Sequence, residues 1–294
     1  MHCITSLKKY ALFIVTPMFL MTACSPTPDN TLSSVDDNGG YASDASRIEW
    51  INNDVISIAD AAGLVYNGAY MRTTHTTLGT CATVGTDTTS GFTHSLVIRF
   101  GISIGGTNSP NDDCTCLDGR KRRGTIIVSY SGRYFDFGQV HTITYDNYYI
   151  NDNQLTGSVQ TMLVDTTVTG NWHYNVVVND SLNMSPDPLK SQFIVWNGSL
   201  DRKWISGFGT PDRGDDAFSI SGNATITRPN GHQFTFNISS PFVFAMNCSY
   251  AQSGIATILG AQGSRVLNYG TGGCDANAQV SLGGNTVFNF TLTK

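Results

Sequence analysis

Residues 114 to 123 read Cys-Thr-Cys-Leu-Asp-Gly-Arg-Lys-Arg-Arg, which puts two thiols, a carboxylate and four successive cations into ten positions. Three chemistries are open to such a span. The first is metal ligation by Cys114 and Cys116. Structural zinc sites usually separate their cysteines by two to four residues, and no histidine lies in the turn, so disulfide chemistry is the stronger expectation. The second is anion recognition by Arg120, Lys121, Arg122 and Arg123, because guanidinium forks bind phosphate, sulfate and carboxylate in pairs of hydrogen bonds. The third is structural. Asp118-Gly119 is a strong hairpin dipeptide, and cations beside a hairpin turn keep a strand end soluble and discourage edge-to-edge pairing.

No other set of residues converges on catalysis. His75, His94, His141, His173 and His232 are scattered and show no H-E-x-x-H spacing. Glu49 is the only glutamate, so a glycosidase would need two aspartates as acid and base, and nothing nominates a pair. Gly101-Ile102-Ser103-Ile104-Gly105 matches the nucleophile-elbow pattern, but that turn must lead straight into a helix. The next residues are Gly-Thr-Asn-Ser-Pro-Asn-Asp-Asp, and they carry no helical period. Trp172, Tyr174, Trp196 and Trp204 could stack on sugars, although packing in a core is the commoner use of such rings. The expected catalytic set is therefore empty, and nothing calls for a metal or a cofactor.

The N-terminus gives an address. Lys8 and Lys9 precede the apolar run Ala11–Met21, which is too short to remain as a membrane span, and Met21-Thr22-Ala23-Cys24 follows. Small residues just before a cysteine resemble the lipobox of bacterial lipoproteins, which implies acylation of Cys24 and a lipid-held mature chain. Residues 1–23 are then the signal peptide. Losing Lys8 and Lys9 lowers the cations from 17 to 15 against 22 acids, a charge of −7. That balance excludes general nucleic-acid binding, which needs a basic face. In an oxidising compartment, Cys248 pairs first with Cys274, Cys81 pairs with either Cys114 or Cys116, and one thiol is left over.

These residues must be positioned by a mainly β body. Residues 24–45, rich in Pro, Ser, Asp and Gly, read as a flexible tether. Ile48, Ile51, Val55, Ile58 and Ala62 form one helical stripe, with Ser46 and Glu49 at capping-box spacing and Gly63 as the stop. From there the period is two. Pro229-Asn230-Gly231 and Gly283-Gly284 are hairpin turns, and the phase slip between Tyr145 and Tyr148 predicts a bulge at Asp146-Asn147. Residues 46–294 are expected to form a single domain, an antiparallel β-sandwich or curved sheet with one N-terminal amphipathic helix packed on it.

Cys-x-Cys-Leu-Asp-Gly-Arg (114–120) and Tyr-Gly-Thr-Gly-Gly-Cys-Asp (269–275), with Arg-Lys-Trp-Ile-Ser-Gly-Phe (202–208) between them, resemble a group of Bacteroidota-type cell-envelope lipoproteins that has no established activity. The resemblance runs from about Ile48 to the C-terminus. It implies an outer-membrane or surface address, facing either the periplasm or the exterior, and brings no catalytic residue. The expected function is that of a lipid-anchored structural or binding module whose partner is a glycan or an envelope protein. The alternative is a glycan- or polyanion-handling enzyme or binder that uses Arg120–Arg123.

Overall fold

Alternating apolar and polar residues build strands here, and one helix supplies what the strands enclose. The computed structural model describes residues 40–67, 82–87, 93–101, 113–168, 170–184, 192–210, 212–261, 263–282 and 287–292. All of them belong to the compact unit Asp36–Lys294. The signal peptide, Cys24, Cys81, the turn at Gly283-Gly284 and residues 102–105 of the elbow-like motif lie outside the described residues. Helix α1 spans Gly40–Asn67. The strands begin with β1 (Ala82–Asp87), β2 (Thr93–Phe100), β3 (Cys114–Thr115), β4 (Lys121–Ser131), β5 (Val140–Ile150), β6 (Asn153–Asp165) and β7 (His173–Asn183). They continue with β8 (Phe193–Ser206), β9 (Ala217–Thr227), β10 (Gln233–Ala245), β11 (Ser253–Gly260), β12 (Gly263–Thr271), β13 (Asn277–Leu282) and β14 (Val287–Thr291).

All the strands join one antiparallel sheet in the order β1-β2-β4-β5 and onward in sequence to β14, with the short β3 paired to β4. No ladder among the described residues connects β1 to β14, so the sheet is open. It is also strongly curved, because it meets α1 from several sides. Asp54 of the helix bonds to Arg122 on β4, and Asp60 bonds to Arg202 on β8. Asp44 bonds to Arg228 just beyond β9, and Tyr41 packs edge-on against Phe234 on β10. The Arg265 guanidinium of β12 lies 4.6 Å from the Tyr41 ring. The mainly β, one-helix expectation therefore holds, in its curved-sheet form.

The helix differs from expectation in three ways. It begins at Gly40 rather than Ser46, so residues 40–45 are helical and not tether. Ser46 is not a cap, because its hydroxyl donates to the Ala42 carbonyl one turn back. Gly63 is not a stop. It lies inside the helix, where a Cβ would sit 2.7 Å from the Tyr134 ring. That ring cannot easily yield, since it stacks on His141 with centroids 4.0 Å apart and its hydroxyl reaches Asp60. Alanine normally improves on glycine inside a helix by about 1 kcal/mol. Gly63→Ala is expected to do the reverse, lowering the urea midpoint through overpacking at roughly 1–3 kcal/mol.

The predicted slip in β5 is present. Arg123 pairs with Tyr149 but Thr125 pairs with Asp146, so Asn147 and Tyr148 together oppose Gly124. Gly124 has φ +84° and its missing Cβ would collide with the Asn147 carbonyl, so no other residue fits this bulge. The bulge returns Tyr148 and Ile150 to the interior beside Ile143. Asn230 and Gly231 turn the chain between β9 and β10 as predicted, with Gly231 at φ +80°. Trp196, Trp204 and Tyr174 are core residues, and Trp172 packs on Phe135 and Phe208. No helix among the described residues is long and apolar enough to cross a membrane.

Candidate functional site

The cationic run falls where β3 turns into β4, and strand alternation sends its members to opposite faces. Residues 120 and 122 share the parity of Ile126, Val128 and Tyr130, the core-facing set. Arg120 and Arg122 are accordingly only 2% and 0% exposed, which corrects the expectation that they solubilise a corner. Lys121 is exposed. Arg123 lies over the Tyr149 ring at 3.9 Å and pairs with Asp113 and Asp152 near the surface.

Burying two guanidinium groups is tolerable only if acceptors accompany them, and the chain supplies its own. Arg122 Nη2 donates to both carboxylate oxygens of Asp54, at 2.9 and 2.8 Å, and to Asp118 Oδ2 at 2.7 Å. Arg120 Nη1 donates to the same Asp118 Oδ2 at 2.9 Å. The Arg120 plane is held 3.3 Å from the Trp50 ring of the helix, and its Nη2 donates to the Ser249 carbonyl at 3.1 Å. This last bond ties the β3–β4 turn to the corner between β10 and β11 across 129 positions of sequence. Sequence reasoning missed the acids on the helix, although Asp54 and Asp60 interrupt a buried segment whose partners are arginines at core-facing strand positions.

Between these three parts lies a cleft of about 610 Å³. Helix α1 forms its floor with Trp50, Asn53, Asp54 and Ser57, and the turn contributes Leu117, Asp118 and Arg120. The corner Phe244–Ser249 closes the other side and is stapled by the disulfide Cys248–Cys274, the pairing expected from sequence. Cys114 is also disulfide-bonded, while Cys116 keeps its thiol, which burial pushes above the ordinary range. Among the described residues, no three His, Cys, Asp or Glu side chains are grouped to hold a metal ion.

The chain's comparison with family models, curated proteins and solved structures finds no match. The chemistry of the cleft must therefore be read from its own electrostatics. Burial acts to raise the Asp118 carboxyl, but hydrogen bonds and charge from Arg122 and Arg120 outweigh it and hold the group down at about 2. At Asp54 the balance differs: burial is the larger influence and lifts the carboxyl above its usual range against the pull of Arg122. Behind the cleft, Glu49 is 1% exposed and burial raises it to about 8, opposed only by the hydrogen bond from Asn53. Its Oε1 accepts from Asn53 Nδ2 at 2.6 Å, and it borders a second cavity of about 10 Å³, the room of one water.

Proposed function

We propose that this chain is a cell-envelope lipoprotein, held through acylated Cys24, whose body is a ligand-binding module with the seam cleft as its site. The observation that carries the binding half is the cleft itself. Its polar lining is fixed in advance by ion pairs, a stacked ring and a disulfide, so little ordering remains to be done when a ligand arrives. At about 610 Å³ it falls within the usual span of small-molecule sites, roughly 300–1,000 Å³. The anchoring half rests on the sequence around Cys24 and on the lipoprotein resemblance.

Two measurements test the reading. Cells expressing the full chain should incorporate labelled palmitate into it, and Cys24→Ser should lose the label and leave the membrane fraction; a wild-type chain without fatty acid removes the anchor. The melting temperature of the purified chain should rise with at least one fraction of envelope polysaccharide or lipid, and Asn247→Trp, which fills the cleft from an exposed position, should abolish the rise. No shift with any fraction removes the binding module.

One observation favours a hydrolytic second reading. Asp54 and Asp118 share one guanidinium while their carboxyl groups are pushed in opposite directions, the separation that distinguishes a general acid from a general base. Both are held to Arg122 at 2.7–2.9 Å, and proton transfer would have to compete with those bonds. Polysaccharide hydrolysis that disappears in Asp118→Asn would establish this reading over simple binding.

A further inference from the structure

The cleft's charge balance narrows the ligand class, on the reading that the cleft is a binding site. Arg120 and Arg122 face Asp54 and Asp118 in a closed set of ion pairs. An anion entering here approaches two carboxylates, and a cation approaches two guanidinium groups, so neither sign is favoured. A neutral ligand meets no such conflict. Asn53, Ser57, Asn247 and Ser249 line the cleft with neutral amide and hydroxyl groups, which both donate and accept as sugar hydroxyl groups require. Phe244 and Leu117 add apolar surface, and Leu117 is 75% exposed.

An extended peptide fits less well. Peptides that bind along a protein's backbone use unpaired strand edges. At this corner the backbone amides are already spent: Met246 N–H donates to the Asp216 carbonyl and Cys248 N–H to the Ala245 carbonyl, both at 2.9 Å. The opposite wall is likewise closed, with Gly119 N–H donating to the Cys116 carbonyl at 2.9 Å. We propose that the seam cleft binds a short neutral oligosaccharide, with Asn247 and Ser249 engaging its hydroxyl groups and Phe244 and Leu117 flanking its ring faces.

Calorimetry on the purified full chain tests this with maltotriose, cellotriose, xylotriose and mannotriose as neutral probes. Trigalacturonate serves as the anionic probe and a blocked trialanine as the peptide probe. At least one neutral trisaccharide should bind with Kd of about 1 mM or tighter, and Asn247→Trp should weaken it about tenfold or more. Leu117→Ser, altering a side chain already in solvent, gives a second variant should the first misfold, and Leu259→Ser on the exposed outer face should change nothing. Tighter binding of trigalacturonate or trialanine, still blocked by Asn247→Trp, overturns the sugar assignment and leaves the binding module standing. Binding indifferent to both cleft variants overturns the site, and a chain that binds none of the probes overturns the sugar assignment, while the module falls only if no envelope fraction shifts the melting temperature either.

Discussion

Arg122→Met is expected to lower the unfolding free energy by about 3–5 kcal/mol, the usual penalty for stranding buried charge. Arg122 is fully buried and is shared by Asp54 and Asp118. Its removal leaves two carboxylates facing one another without their common cation. Methionine fills most of the volume, so the deficit is electrostatic rather than a cavity. Urea denaturation at neutral pH measures it, and two controls identify its origin. The deficit should shrink below about pH 4, where carboxylates that have lost their cation take up protons. Arg123→Met, one position away, should cost less than about 1 kcal/mol because its partners lie near water. Equal losses at 122 and 123, or a pH-independent loss at 122, would contradict the ion-pair account.

Glu49→Gln should change how stability depends on pH. The folded carboxyl titrates at about 8, well above its ordinary value. Between roughly pH 4.5 and 8 the folded protein thus holds a proton that the unfolded chain has released. Stability contributed by this group is present below the unfolded pKa and declines as pH rises through the window. Asp180, raised to about 7 by burial against the hydrogen bond from Tyr145, adds a slope of the same sign. His141 opposes them, since burial lowers its pKa and folding disfavours its protonated form. Glutamine keeps the acceptor that Asn53 Nδ2 uses and cannot ionise. The variant should match wild type near pH 5 and exceed it at pH 8.5 by on the order of 3–5 kcal/mol. Parallel stability curves for the two proteins would show that Glu49 is already ionised when folded.

Much of the sheet was legible from two-residue alternation, and the reason is local. Turn dipeptides, the Tyr145-to-Tyr148 phase slip and the spacing of Cys248 and Cys274 each record a nearby backbone requirement. The helix was read less well. Ile48, Ile51, Val55 and Ile58 do form its apolar stripe, but Glu49, Asn52, Asp54 and Asp60, which lie off that stripe, are buried as well. A polar residue on a helix carries no record of what covers it when the cover comes from strands far away in sequence. The missing clue lay in the strands. Arg122, Arg202 and Arg265 occupy inward positions among Ile, Leu, Trp and Tyr, and a cation at such a position implies an acid opposite it. Ser46 and Glu49 misled for a related reason: their spacing suits a cap, whereas the helix continues N-terminally to Gly40 and both side chains are spent inside it.

The enclosure of α1 sets an order of events in biosynthesis. The helix leaves the ribosome before every strand that will surround it, and Asp44 waits 184 positions for Arg228. Contacts so remote in sequence slow the conformational search. Until they form, the acids along the helix are hydrated and charged, which keeps an otherwise apolar segment from associating with its neighbours. The same carboxylates that are tethered to arginine in the finished protein thus act earlier as solubilisers, and a nascent chain lacking them would be the one that aggregates.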